Sequence, residues 1–340
     1  SWSGPLLAAS VGDDVVGRIA VDMSADGDFM VAFATDYDSG ATPDDSGADL
    51  FYRHYDSSLG WTGNVSLIEN HGEMAVWPRL DMNASGEAAV SWLQLTGSER
   101  ESGFGAAELW ARRWDGNAWS DAPQLVSDDP NSSVLHNDIA ITDNGQAFAF
   151  YQQKREGTTY HDAYVREHDG TGWVTNPDES AVVFQLDSED LGDVGAGPNW
   201  SGSQYLQITT GDSGNAVAMW TQDDGTYVNL WAAQRDAITS TWGSAFKVEE
   251  ADLDVFTPVL DTNGSGVSQV LWFQSNGSQI HAYASMLPAS GNSSPIANDD
   301  SDSTNEDAPV TIDVLANDSD PDTGDVIQVS DITQGANGSV

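Results

Sequence analysis

The sequence predicts an all-β protein: a five-bladed β-propeller closed by its own N-terminal strand, followed by the start of a β-sandwich module. Three observations carry that reading. A glycine-centred repeat recurs five times, at Gly27, Gly86, Gly145, Gly214 and Gly266. Six residues after each glycine stands an aromatic (Phe33, Trp92, Tyr151, Trp220, Trp272), and six before it an aliphatic (Val21, Leu80, Ile139, Ile208, Leu260). Each copy is written as short apolar runs separated by turn residues, the pattern of antiparallel strands arrayed in similar units.

Within a copy the elements follow in order. A first strand such as WPRLDM meets a D/N/S-G turn, where glycine supplies the positive φ of a tight hairpin. A continuous apolar run such as EAAVSWLQ follows, as expected for a strand covered on both faces. A third strand (LFYRHY, ELWARRW, AYVREH, LWAAQR, IHAYAS) comes after a variable loop, and a fourth opens on Trp61, Trp119, Trp173 or Trp242. The fifth copy shows no Trp-led fourth strand. The opening stretch SWSGPLLAAS has the missing character, and Trp2 precedes Gly27 by the 25 residues that separate Trp61 from Gly86. The sequence therefore predicts that the N-terminal strand completes the last blade and closes the ring, with the propeller over residues 1–290.

Composition narrows the function. The 340 residues carry 54 Asp+Glu against 11 Lys+Arg, a formal charge of −43, which repels phosphate backbones and anionic lipid. Nucleic acid is excluded as a partner on that ground. No run of eighteen apolar residues occurs, so no membrane insertion is expected from this chain. With no cysteine there is no disulfide, thiolate zinc site or thiol nucleophile.

From residue 291 to 340 the aromatics vanish and Asp, Ser, Thr, Asn and Pro take over. The stretches PIANDD, NEDAPVTIDVLANDSDPD and QGANGSV resemble the tandem cadherin-like, immunoglobulin-type repeats of large secreted bacterial adhesins. That resemblance implies a truncated sandwich module here, further tandem repeats in the parent chain, and a secreted or cell-surface location. Within it, Asp318, Asp320, Asp322 and Asp325 alternate along DSDPDTGD, an arrangement that lets carboxylate oxygens converge on calcium. Glycine stands one place later than in an EF-hand loop, and the distal bidentate Glu is missing.

The candidate binding residues lie where the first strand of each copy enters from the long-loop face. Nine residues before each glycine are Arg18, Trp77, His136, Tyr205 and Thr257; two further on, the copies carry Arg79, Asp138 and Gln207 among others. Scaffold positions are alike from copy to copy, whereas these differ. Indole, phenol, imidazole and guanidinium groups around one mouth stack on sugar rings and hydrogen-bond their hydroxyls. The expected function is an extracellular recognition and adhesion head, without catalytic activity, for a glycan, a polysaccharide or a surface protein. The alternatives are a polysaccharide-degrading glycosidase using Asp22, Asp81 and Asp261, which stand five before the glycine in three copies, and a structural spacer.

Overall fold

The computed structural model describes residues 15–36, 48–69, 74–95, 107–119, 122–127, 133–155, 157–158, 160–175, 182–187, 192–195, 206–212, 214–275, 278–288, 296–305, 308–318 and 328–329. The chain divides into two compact units, residues 1–288 and 289–340.

The first unit is built of antiparallel sheets in chain order. The first holds β1 (Val15–Met23), β2 (Phe29–Asp36), β3 (Ala48–Asp56) and β4 (Gly60–Leu67). The second holds β5 (Ala75–Met82), β6 (Ala88–Leu95), β7 (Ala107–Trp114) and β8 (Gln124–Leu125). The third holds β9 (Val134–Ile141), β10 (Ala147–Lys154), β11 (His161–His168) and β12 (Val183–Gln185). In the fourth are β13 (Asp193–Val194), β14 (Leu206–Thr210), β15 (Ala216–Asp223), β16 (Val228–Asp236), β17 (Thr241–Trp242) and β18 (Phe246–Lys247). The fifth has β19 (Val255–Thr262), β20 (Ser268–Ser275) and β21 (Ile280–Leu287). Each repeat glycine sits in a hairpin, between β14 and β15 in the fourth sheet and between the first two strands in the others, with φ between +81° and +98°. The repeat therefore marks one sheet per copy, as read from the sequence.

Successive sheets bury their faces on one another in four cores. Ala32 and Ala34 meet Val90 and Trp92; Leu93 meets Ala149 and Tyr151; Phe150 meets Trp220; Met219 meets Val270 and Trp272. The repeat aromatic thus fills the gap to the preceding sheet in the second to fifth copies, which is why β6, β10 and β15 read as unbroken apolar runs. Trp61 lies in β4 and Trp242 in β17, as expected, but Trp119 and Trp173 form single bridges to Trp114 and His168, ahead of the short fourth strands β8 and β12. Arg53, Arg112 and Arg166 lie over the rings of Trp61, Trp119 and Trp173 at 4.7, 5.3 and 5.9 Å.

The expected closure joins the fifth sheet to the first through the N-terminal strand. Among the described residues those two sheets share no core, and β20 alternates buried and exposed where β6 is buried throughout. The closing strand itself, residues 1–14, lies outside the described residues. In the second unit, Asn298 N–H donates to Asp318 Oδ1 (2.7 Å) and Asn298 Nδ2 to Asn317 O (2.8 Å), a local clasp. Asp320, Asp322 and Asp325 lie outside the described residues. Among the described residues no helix is long and apolar enough to cross a membrane.

Candidate functional site

The inner strands (β1, β5, β9, β14 and β19) have two ends with different jobs. Five or seven residues before the repeat glycine, the first four each hand a side-chain acceptor to a backbone N–H of the next inner strand. Asp22 Oδ2 accepts from Met82 (2.7 Å), Asp81 Oδ2 from Ile141 (2.7 Å), Asp138 Oδ2 from Ile208 (3.0 Å) and Gln207 Oε1 from Leu260 (2.9 Å). Such N–H groups project from the open edge of an inner strand, where no ladder partner exists, so these bonds satisfy buried backbone and fix sheet-to-sheet register. Arg79 and Gln207 add a second tie, donating to Asn137 O (2.9 Å) and Pro258 O (2.6 Å).

The sequence offered Asp22, Asp81 and Asp261 as axial carboxylates. Asp22 and Asp81 instead bond the neighbouring sheet. Burial, reinforced by Asp22, holds the Asp81 carboxyl well above the ordinary range. Asp261 accepts the N–H of its own neighbour Thr262 (3.0 Å).

At the opposite end the inner strands are distorted. In β5 the register slips between Val76 and Arg79, and in β19 between Phe256 and Val259. Two residues on the inner strand oppose one on its partner there, a β-bulge. Trp77 (φ 54°) and Thr257 (φ 42°) hold the left-handed conformation within these bulges, each followed by a proline, Pro78 and Pro258. Proline brings no N–H to the ladder and is tolerated where pairing lapses. A left-handed β-branched or bulky residue is rare, and such strain gathers at working sites. In the fourth sheet the same place is opened further. β13 and β14 both pair with β15, and residues 195–205 run between them.

The bulge turns Trp77 into the mouth of the array, where 39% of its surface stays exposed. Its indole lies nearly parallel to the His136 ring, centroids 6.4 Å apart at 16°. His136 Nδ1 is 2.7 Å from Gln152 Oε1, and Gln152 Nε2 donates to Val194 O (2.5 Å). Because the Gln152 amide nitrogen is committed to a carbonyl, its oxygen faces His136 as an acceptor. The imidazole therefore carries its proton on Nδ1, and Nε2 is its basic nitrogen. Gly195 is required beside this link, since a Cβ there would overlap the Gln152 amide. β13 is held in turn by His161, whose backbone N–H donates to Asp193 Oδ1 (2.7 Å), with the ring Nδ1 at 3.0 Å.

Behind these rings, Arg79 Nε stands 3.9 Å from Asp138 Oδ1. Burial raises the Asp138 carboxyl to about 6, against the pull of the Arg79 guanidinium.

Of the residues predicted to bind, the structure brings together Trp77, His136, Arg79 and Asp138. Gln207 sits in the staple to β19. Arg18 falls within β1, but its side chain, like Tyr205 entire, lies outside the described residues. Two residues of the site had no part in the sequence prediction, Gln152 and Gly195. Gln152 stands next to the repeat glutamine Gln153 and is masked by it; Pro78 and Pro258 inside strand patterns are the available signal for the bulges.

The first unit is a propeller-type array of antiparallel sheets, with Trp77 and His136 side by side on two of its inner strands. Residues 292–340 match the family model described as a bacterial Ig domain. No curated protein matches the chain. Several solved structures resemble it in fold. A polysaccharide lyase, an ulvan lyase bound to a -[GlcA(1-4)Rha3S]- saccharide, is 9% identical with a TM-score of 0.50, covering 80% of this chain and 67% of its own. A protein of unknown function from Dyadobacter fermentans is 12% identical with a TM-score of 0.48, covering 82% of each chain. A family GH93 α-L-arabinofuranosidase of Fusarium graminearum is 14% identical with a TM-score of 0.41, covering 81% of this chain and 77% of its own. The expectation of a non-catalytic head is corrected by this finding: the ulvan lyase, which this chain resembles in fold, is an enzyme.

Proposed function

We propose that the propeller is a polysaccharide-cleaving enzyme whose site is the bulged mouth of the inner strands. The observation that carries the reading is the Trp77–His136 pair: an exposed indole in parallel register with an imidazole whose basic nitrogen is set by Gln152. A sugar ring stacks on the open part of the Trp77 face through its C–H groups, and its neighbouring bond then lies beside His136. His136 Nε2 is the proton acceptor. Asp138, with its carboxyl near 6, positions Arg79 and supplies a group that changes charge in the working range.

An eliminative cleavage follows most directly. His136 Nε2 takes the proton next to the carboxylate of a uronic acid unit, and the electron pair forms a ring double bond. The glycosidic oxygen departs with the bonding pair and is protonated by solvent. The fold likeness to a lyase with a glucuronate-containing saccharide supports this choice of substrate class. Arg18, at the same repeat position as Trp77 and His136, is the candidate cation for the uronate carboxylate.

Incubation with a panel of uronate-containing and neutral polysaccharides tests the proposal. New reducing ends together with ultraviolet absorbance of an unsaturated product establish elimination. Reducing ends without that absorbance establish hydrolysis, and saturable binding with neither returns the mouth to a glycan-capturing role.

The second unit is proposed to be the first part of an Ig-like stalk on a secreted or surface-displayed protein, a reading supported by the bacterial Ig-domain match. Calcium is proposed as its structural ion. The donor set fits: Asp318 gives Oδ1 to the Asn298 N–H, so Oδ2 is the oxygen it would offer calcium beside Asp320, Asp322 and Asp325. Calorimetric titration of the whole chain with calcium, repeated with Asp320→Asn and Asp322→Asn, checks it; an unchanged heat signal in the variant retires the site.

A further inference from the structure

Two polar side chains of the third sheet occupy places that its neighbours fill with apolar groups. Gln152, seven residues after its repeat glycine, is buried in the slot held by Ala34 and Leu93 in the first two sheets. His161 opens the third strand of its sheet, opposite the residue nine after the glycine. Ala48, Ala107 and Val228 stand there in the first, second and fourth sheets, all buried. A polar group in an apolar slot costs free energy unless its donors and acceptors find partners. Both find them on one two-residue strand, β13 of the next sheet.

Within its own sheet β13 pairs with the mouth end of β15, Asp193 opposite Asp223 and Val194 opposite Gln222. Across to the third sheet its two residues divide the work. Asp193 Oδ1 accepts the His161 backbone N–H at 2.7 Å and lies 3.0 Å from the ring Nδ1. A carboxylate only accepts, so the ring faces it with an Nδ1–H. Val194 O accepts the Gln152 amide at 2.5 Å. His161 pairs with Lys154 and Ala163 with Gln152, so the grip and the delivered carbonyl fall two positions apart on the same pair of strands. The backbone half of the grip is also made elsewhere: Asp254 Oδ1 accepts the Val228 N–H at 3.0 Å in the fourth sheet. There, however, Val228 brings no ring, and Thr221 stands in the slot that matches Gln152.

We infer that Asp193 and His161 are positioning residues for His136. Their contact pins β13 where Val194 O holds the Gln152 amide nitrogen. The Gln152 oxygen is thereby turned to His136 Nδ1, and Nε2 is left without a proton to accept one. The chain of contacts runs His161, Asp193, Val194, Gln152, His136 and crosses between the third and fourth sheets twice. The catalytic half of this role rests on the cleavage reading proposed above; its structural half, the tautomer of His136, is measurable without substrate.

Long-range proton–nitrogen correlation spectra of the full chain, labelled at its histidine nitrogens, test this at alkaline pH, where free imidazole is neutral. His136→Gln assigns the His136 signals. The unaltered chain is expected to show His136 with its proton on Nδ1. Asp193→Ala is expected to give a mixture of both tautomers and to lower kcat about tenfold or more, with KM little changed. Asp193→Asn keeps an oxygen for the His161 donors and should restore both readouts. Asp254→Ala cuts the matching tie in the fourth sheet; it should lower the melting temperature and leave the His136 signals in place. If Asp193→Ala does not fold, His161→Phe, which keeps the backbone donor and removes the ring donor, reads the same signals. His136 signals that stay unmoved in these variants, or move equally in Asp254→Ala, overturn the inference and reduce the pair to a structural tie. An unaltered chain with the proton on Nε2 overturns it too. A chain whose His136 tautomer responds as expected but which cleaves no uronate polysaccharide supports the positioning link and overturns the cleavage reading instead.

Discussion

The two ends of the inner strands are built from the same positions of the same repeat, yet they behave differently. Five or seven residues before the repeat glycine, Asp22, Asp81, Asp138 and Gln207 perform one task in succession, each accepting a backbone N–H from the next strand. Nine residues before it, the copies diverge: a left-handed Trp77, a hydrogen-bonded His136 and a left-handed Thr257. A repeat can vary only where its neighbours do not depend on it. The staple end carries the register of adjacent sheets, whereas the bulge has already left the ladder and is free to carry chemistry.

The comparison breaks if changes at the mouth cost stability, or changes at the staples cost only activity. The largest effect belongs to His136. His136→Ala is expected to lower the cleavage rate by about 10²–10⁴-fold with an unchanged melting temperature. Steady-state kinetics beside a calorimetric scan check it, and Gln152→Ala should follow in the same direction by loosening the tautomer.

At the staples, Asp81→Ala strands the Ile141 N–H in the interior and is expected to cost about 1–3 kcal/mol, read by urea unfolding. Gln207→Ala, which loses both its bonds to the fifth sheet, falls in the same range.

Acid–base behaviour sharpens the contrast. Burial raises Asp138 and Asp187 to about 6 and Glu249 to about 7. A carboxyl whose folded value is raised holds its proton more tightly folded than unfolded. These groups therefore favour the fold most at acid pH, and their contribution falls between about 4 and 7, by on the order of 1–3 kcal/mol each at most. Melting temperature should decline over that window. Glu249→Gln keeps a carbonyl acceptor for the Leu230 N–H and should flatten the decline in part; an unaltered slope would remove Glu249 from the account.

Smaller effects belong to the platform and the strain. Trp77→Ala is expected to raise KM about tenfold, the loss of roughly 1.5 kcal/mol of ring contact, with stability little changed. Thr257→Gly relieves a left-handed β-branched residue and should raise stability by about 1 kcal/mol, seen as a small upward shift in unfolding midpoint.

Much of the scaffold was legible because it rests on short-range rules. A turn glycine and an apolar run announce themselves within a dozen residues and fall where the repeat placed them. The Trp-led fourth strand is met only at Trp61 and Trp242, the second and third copies starting theirs later, at Gln124 and Val183. The staples did not announce themselves, since Asp138 and Ile208 are 70 positions apart and neither carries a local signature. Nor did the buried acids at the ends of the fourth strands. Asp187 accepts the Ala163 N–H and Glu249 the Leu230 N–H, and neither carries a local signature of that role. The candidate mouth was half legible: Trp77, His136, Arg79 and Asp138 stood out by differing between copies, while Gln152, the residue that sets the histidine tautomer, did not.

By itself the sequence determined the all-β class, the five repeats, the glycine hairpins, the aromatic that fills each gap and the change of module near residue 291, because propensity and periodicity act along the chain. Only the tertiary structure decided that Asp22, Asp81 and Asp138 bond the next inner strand while Asp261 turns to its own neighbour. Those outcomes depend on which strand edge lies beside which, and a backbone N–H on an open edge donates to whatever acceptor the next sheet brings to it.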